Sequence, residues 1–423
     1  MKQNNQFREK LLNRFLRYVQ INAPSNENVL EKIPSTEEQV ELGKTLVREL
    51  QELGLSDAQM DEYGIVMASL PSNLGSASDK VPVIGFIAHL DTSSDVPSHP
   101  VKPVIHPNYQ GGDIFLPGAL ENPLRVSENP ELLQHLGEDI ITSDGTTLLG
   151  ADDRAGIAEI VTFLEFLLLH PEIPHGPIRI AFTPDEEIGR GVDHFDIQKF
   201  GAEVAYTVDG GGLGEIEDET FYARVAIFTI FGSNVHPGYA KGKMVNALRM
   251  GSEIIQAFQN EPAPETTEGR EGYFHPHHFS GGVGKAILKV LIRDFELAGI
   301  EAKIQKLQEI QKQVEMRYPK GKIHLEIKEN YRNMRDDLQK DPRIVEYALE
   351  AVRRTGISPQ RKAVRGGTDG AKLCEKGLLT ANIFTGGHNF HSTHEWISLQ
   401  AMEKAVETLI QLVQIWVERG RAL

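Results

Sequence analysis

Five short stretches of this sequence carry residue types that could hold cations. Residues 88–92, Ala88-His89-Leu90-Asp91-Thr92, follow directly on an apolar run that reads as a strand. Side chains two apart on a strand point the same way, so His89 and Asp91 share a face, and Asp91 can orient a metal-binding imidazole from behind. Asp152 and Asp153 stand side by side at a helix entrance. Two adjacent carboxylates there are costly unless a cation or the helix N-terminus compensates them; Asp152 could bridge two metals, and taken alone the motif also reads as an N-cap with a solvated neighbour. Asp185, Glu186 and Glu187 occupy a strand exit, where one carboxylate can ligate while its neighbour stays free to take a proton from a metal-bound water. Asp209 closes a third apolar run, and His391 opens a His-Ser-Thr-His-Glu run.

Each stretch alone fits a solvated charge or a capped turn. Jointly, His89, Asp152, Glu187, Asp209 and His391 as ligands, with Glu186 to spare, match a dinuclear hydrolase, because two cations about 3.5–4 Å apart acidify a shared water and polarise the carbonyl it attacks. Mixed imidazole and carboxylate ligation suits zinc, with manganese or cobalt as substitutes. The single cysteine, Cys374, argues against a structural thiolate site and fits a reducing compartment.

The elements that must position these residues alternate. Apolar runs at 83–89, 178–183, 204–208 and 378–384 suit strands covered on both faces, hence a largely parallel sheet between helices. Helical spacing marks 7–19, 156–169 and 343–355, with a further helix after Ser35. Strand ends at one edge of an open α/β sheet are where such folds place ligands. From about Glu219 the pattern changes to strand (223–231), helix (245–258), strand (287–294), long charged helix (302–316) and strand (323–327). The expected fold is α/β with a mostly parallel central sheet, interrupted by a smaller α+β domain: residues 1–218 and 334–423 form a discontinuous catalytic domain, and 219–333 an inserted lid or dimerisation domain. The stretch 97–145, rich in Pro, Gly and Asn, reads as a long excursion with little regular structure.

Among 423 residues, 40% are hydrophobic, enough for two cores, and the formal net charge of -16 disfavours a nucleic-acid partner. No run approaches the roughly 20 apolar residues of a membrane span, and the charged start lacks a signal-peptide core; a cytoplasmic protein is expected.

The blocks AHLDT (88–92), LGADDRAGIAE (149–159), TPDEEIG (183–189), VDGG (208–211), NVHPG (234–238) and RGGTDG (365–370) resemble the tripeptide aminopeptidases of a dinuclear zinc family that also contains aminoacylases, glutamate-releasing carboxypeptidases and dipeptidases. The likeness runs in order through nearly the whole chain, including NYQGGDI (108–114) within the excursion. It implies two zinc ions per subunit, one held by His89 and Asp209, one by Glu187 and His391, with Asp152 between them and a cis bond after Asp152. Glu186 would be the general base toward a zinc-bridging water, supported by Asp91, and His236 an oxyanion stabiliser. Asn246, Arg365 and Arg293 would bind substrate, a task suited to a guanidinium fork. His391 is preferred over His388 and His394 because it lies four residues before Glu395. The cluster His275, His277 and His278 is read as a surface or lid-cleft feature. The implied activity is release of the N-terminal residue from tripeptides, by a chain that pairs into a homodimer through the second domain. Alternatives are a dipeptidase, aminoacylase or carboxypeptidase of the same family, or a noncatalytic peptide-binding protein.

Overall fold

The computed structural model describes residues 4–420. The chain begins with α1 (Asn4–Tyr18), α2 (Glu37–Glu52), β1 (Gln59–Met60), β2 (Val66–Leu70) and β3 (Ile84–His89). There follow β4 (Val104–His106), β5 (Ile140–Thr142), α3 (Ala151–Leu169), β6 (Ile178–Thr183), the short α4 (Ile197–Phe200), β7 (Val204–Gly210) and β8 (Glu215–Glu219). Next come β9 (Tyr222–Phe231), α5 (Ala247–Gln256), β10 (Tyr273–Gly281), β11 (Lys285–Asp294), α6 (Leu297–Arg317), β12 (Lys322–Tyr331) and the short α7 (Arg335–Leu338). The last part holds α8 (Arg343–Arg354), β13 (Gln360–Ala363), α9 (Asp369–Glu375), β14 (Thr380–Phe384), β15 (Gly387–His388), β16 (Trp396–Ser398) and α10 (Leu399–Arg419).

Two compact units result: 1–218 with 337–362 and 368–423, and 219–336 with 363–367. In the first, an eight-stranded sheet has the order β1-β2-β6-β3-β7-β14-β8-β13. Its centre is parallel, with β3 between β6 and β7 and β14 beside β7, while β2 runs antiparallel to β6 and β8 to β14. This mostly parallel sheet is the α/β architecture that the apolar runs imply. The reason is visible on β3, which is buried at all six residues. Phe86 meets Phe163 of α3 on one face, ring centroids 5.3 Å apart; Ile87 packs on the other with Phe195, Phe200, Leu373 and Leu378. Burying each such side chain stabilises the fold by about 1.5–3 kcal/mol.

The excursion holds little regular structure, as its composition implies, with only the short β4 and β5 as strands within it. β4 and β5 join β15 and β16 in a four-stranded sheet, and Tyr109, Ile114, Leu116, Leu124, Leu132, Ile140 and Trp396 form a small core of their own. These strands are two or three residues long, too short to show periodicity.

The second unit is a four-stranded antiparallel sheet in the order β10-β11-β9-β12. One face, including Ala226, Phe228, Ile230, Leu288 and Ile292, packs against Met250, Ile254, Leu307 and Ile310 of α5 and α6. The strand β10, which contains His275, His277 and His278, has no counterpart in the periodicity; it is an edge strand with a register shift between Pro276 and His278, the setting in which a strand tolerates proline.

Candidate metal centre

His89 is the last residue of β3, and Asp209 lies near the end of the adjacent β7. Their neighbour β6 ends at Thr183, so Glu186 and Glu187 leave the sheet at the same edge. Asp152 and Asp153 precede the regular part of α3: their backbone angles are non-helical, and the peptide bond between them is cis. His391 stands in the turn between β15 and β16 with a left-handed φ of 59°.

These side chains meet in a row. Asp209 Oδ1 lies 3.5 Å from His89 Nε2, and Asp152 Oδ1 lies 2.8 Å from the same nitrogen. The other oxygen of Asp152, Oδ2, is 3.4 Å from His391 Nε2, which is 2.7 Å from Glu187 Oε2. One carboxylate thus faces two imidazoles, each of which has a second carboxylate. All five residues proposed from the sequence as ligands are brought together. Of the three competing histidines, His388 instead stacks on Trp396, centroids 4.1 Å apart, and His394 Nε2 lies 3.0 Å from the Asn122 carbonyl oxygen.

Crowding of acids sets the electrostatics. Burial alone would lower the His89 imidazole, but Asp209, Asp152 and Asp91 raise it well above the usual histidine range. Burial likewise opposes charge on His391, yet its bonds to Asp152 and Glu187 push it up to about 11. Burial, then repulsion from Asp152, pushes Glu187 up to about 8. Asp209 rises to about 6, mainly through burial, with His89 opposing. Glu186 stands well above the carboxylate range because of burial, which attraction to His89 offsets only in part while Asp209, Asp369 and Glu187 add repulsion.

The donor set fits a pair of divalent cations. It combines imidazole nitrogen with carboxylate oxygen and no thiolate, its carboxylates demand positive charge, and Glu187 Oε1 is buried without a hydrogen-bond partner. Among the described residues, every group of three or more donors close enough to share an ion includes His89. Asp153 is within reach of His89 and Asp209, but its oxygens are engaged by backbone: Oδ2 accepts the N–H of His89 at 3.0 Å and Oδ1 that of Gly156 at 3.2 Å.

The remaining acids hold the frame. Asp91 Oδ1 and Oδ2 accept the backbone N–H groups of Glu186 and Glu187 at 2.9 and 3.1 Å, and Oδ1 lies 3.4 Å from His89 Nδ1. Asp185, with φ 56°, turns away from its two neighbours. Its carboxylate accepts from Ser35 N at 2.7 Å, Ser35 Oγ at 2.5 Å and Gln39 Nε2 at 2.7 Å. Asn382 Oδ1 accepts the N–H of Asp209 at 3.2 Å. Arg154, fully buried, donates to the Leu90 carbonyl. Sequence reasoning assigned no role to Asp153, Arg154 or Asn382; the buried acid beside a ligand was the available signal for Asp153, and nothing marked the others.

The profile of peptidase family M20/M25/M40 matches residues 149–415. The chain belongs to that family. Among relatives of this M20 peptidase, Peptidase T of Caldanaerobacter subterraneus subsp. tengcongensis is 48% identical over 411 residues, which are 97% of this chain and all of the relative. The fold is shared with aminopeptidase PepT from Bacillus cereus, at a TM-score of 0.73, 24% identity, and coverage of 97% of this chain and 99% of that one. It is shared too with the Bacillus subtilis YXEP protein, described as a dinuclear metal binding peptidase from the M20 family, at a TM-score of 0.63, 16% identity, and coverage of 98% and 99%.

The other residues named from the sequence lie in the second unit. His236 is exposed, and its Nδ1 accepts the N–H of Gly238 at 3.2 Å. Asn246 caps α5 through the N–H of Leu248 at 2.9 Å. Arg293 is buried, bonding the carbonyls of Arg224 and Ile292 at 3.2 and 3.0 Å. Arg365 bonds the carbonyls of Gly269 and Glu271 and the Thr267 hydroxyl at 2.8–2.9 Å. His275 and His277 stack with centroids 6.1 Å apart.

Proposed function

We propose that this M20 peptidase is an aminopeptidase that releases the N-terminal residue from tripeptides and uses two zinc ions. The observation that carries the reading is the Asp152 carboxylate, with one oxygen toward His89 and the other toward His391; Peptidase T relatives matched over their full length support the substrate class. His89 and Asp209 would hold one ion, Glu187 and His391 the other, and Asp152 would serve both. When bound, the pair supplies an acidified water and a polarised scissile carbonyl.

The chain's own groups do the rest. Glu186, adjacent to a ligand yet not itself one, takes the proton of the attacking water and returns it to the leaving amine. Asp91 fixes Glu186 and Glu187 through their backbone amides and orients the His89 ring. His236 would donate to the developing oxyanion. Asn246, Arg293 and Arg365 would meet the substrate backbone and carboxylate, the arginines with the N–H groups left free by their carbonyl bonds. Cytoplasmic residence and a homodimer through the second unit belong to the same proposal. Among the described residues no helix is long and apolar enough to cross a membrane.

The test compares an unblocked tripeptide with its N-acetylated and C-amidated forms, using metal-free protein and protein with zinc restored. Zinc-dependent release of the first residue alone, abolished by acetylation, is expected. Cleavage of the acetylated peptide would move the assignment to the acylase and carboxypeptidase branches of the family, and no hydrolysis with any metal would leave a binding protein.

A further inference from the structure

Three buried carboxylates around the centre that are not proposed as ligands receive backbone amides. Asp91 holds the amides of Glu186 and Glu187, and Asp153 that of His89. The third is Glu395, only 1% exposed. Its Oε2 accepts the N–H groups of Leu149 and Gly150, both at 2.7 Å, and its Oε1 accepts that of Asp152 at 3.1 Å. Among the described residues no other side chain bonds these three amides, and Gly150 is left-handed, with φ 82°, so the segment turns around the carboxylate.

The same strip of chain supplies His391. Between His391 and Glu395 runs a tight turn closed by Glu395 N to Ser392 O at 3.2 Å and His394 N to Ser392 Oγ at 3.0 Å. Just beyond, Trp396, Ile397 and Ser398 pair with Thr142, Ile141 and Ile140, the strand that leads into the 143–152 loop. Glu395 therefore ties one imidazole-bearing turn to the backbone of the carboxylate that serves both imidazoles.

We propose that Glu395 is a positioning residue: by clamping the amides of 149, 150 and 152 it sets the direction of the Asp152 carboxylate and so couples the two halves of the centre. This rests on the dinuclear reading above. The informative substitution is Glu395→Gln. Its carbonyl oxygen can still accept from Leu149 and Gly150, while its NH₂ group faces the N–H of Asp152, a donor against a donor. The clamp is released at the shared ligand alone. Substitution of groups that orient ligands weakens metal affinity by about 10–100-fold, and that range is expected here for the second equivalent of metal.

The experiment titrates metal-free full-length wild type and Glu395→Gln with zinc against a chromophoric chelator, alongside thermal unfolding of the metal-free proteins and kcat and KM for a tripeptide. The inference predicts that the variant keeps a cooperative unfolding transition and its first equivalent, weakens the second about tenfold or more, and loses kcat with KM little changed. Glu395→Asp, one methylene too short to reach all three amides, should show the same pattern more strongly. Two equivalents bound as in wild type would overturn the inference. So would loss of both equivalents in equal measure with a broad unfolding transition, since a merely structural role predicts that. Wild type that takes up two equivalents but does not cleave tripeptides would sink the proposed activity and leave the role of Glu395 standing; wild type that takes up fewer than two would overturn both.

Discussion

Replacing Asp91 by Asn keeps size and shape but removes one acceptor and a charge. Asp91 is fully buried and its two oxygens receive one amide each, from Glu186 at 2.9 Å and Glu187 at 3.1 Å. Asparagine can satisfy one. The other amide then meets an NH₂ group, and a buried donor left without an acceptor costs about 1–3 kcal/mol, on top of about 1.5–3 kcal/mol for a hydrogen bond to a charged group. These terms overlap, so the loss should be about 2–4 kcal/mol. A further contribution has the same sign: Asp91 is the foremost counter-charge of the buried Arg154, whose guanidinium burial pushes down to about 10 even with that support.

If the whole loss were felt where Glu186 meets the reacting water, the rate would fall by about 30–1000-fold at about 1.4 kcal/mol per decade. The assay is twofold. Urea unfolding of metal-free wild type and Asp91→Asn measures the ground-state part, and kcat for an unblocked tripeptide with zinc restored measures the rest. Asp91→Ala is the control and should be worse than Asn, because both amides then lose their partner. Equal midpoints and a kcat within about threefold of wild type would refute the argument, as would Asn and Ala variants that cannot be told apart.

Three other outcomes follow from the same geometry. Glu186→Gln should lower kcat by about 10²–10⁴ while bound zinc, read by elemental analysis, stays at the wild-type ratio. Gly156→Ala should destabilise by about 3 kcal/mol in denaturant, because a Cβ at that position overlaps the Val208 carbonyl oxygen of β7; the helix that begins beside Asp152 and the strand that carries Asp209 are forced apart. Glu49→Ala should cost about 2–3 kcal/mol, since Glu49 accepts from Arg14 Nε at 2.8 Å and the Tyr18 hydroxyl at 2.7 Å, while Arg14 keeps Glu165. Burial opposes charge on Glu49, but those bonds outweigh it and hold the carboxyl below its ordinary value. Its contribution is therefore fully present above the unfolded value of about 4.3 and is lost as pH falls through the folded one; thermal unfolding of both proteins from neutral pH downward should show the gap closing.

Much of the centre was legible because buried parallel strands write themselves as apolar runs, and histidines and acids recur at the ends of several such runs, a coincidence that no single one of them would carry. β3 with His89 and β7 with Asp209 were found this way. What stayed hidden depended on partners far away or on backbone. The edge strand β10 was missed since three histidines and Pro276 carry little strand preference, and among the described residues it pairs with β11 alone. The small sheet that the excursion joins was not visible because β5 finds β16 more than 250 residues later. Within Asp185-Glu186-Glu187 the sequence offers three equivalent acids; only the contact with Ser35 and Gln39, 146 to 150 residues away, separates the first from the others.

That separation follows a physical rule that holds around the whole centre. Around this centre the carboxylates that bind amides are shut away from water, whereas one that binds a cation must remain reachable by the ion and by substrate. Asp91, Asp153 and Asp185 are 0% exposed and Glu395 1%. The side chains of Asp152 and Asp209 are each 13% exposed, and that of Glu187 is 6%. Both groups are written with the same two letters and stand next to one another, Asp152 beside Asp153, Asp185 beside Glu186. A reading of residue type and spacing finds the neighbourhood of such a centre, while the division between the acids proposed to hold metal and the acids that hold the chain becomes visible only once burial assigns each oxygen its donor.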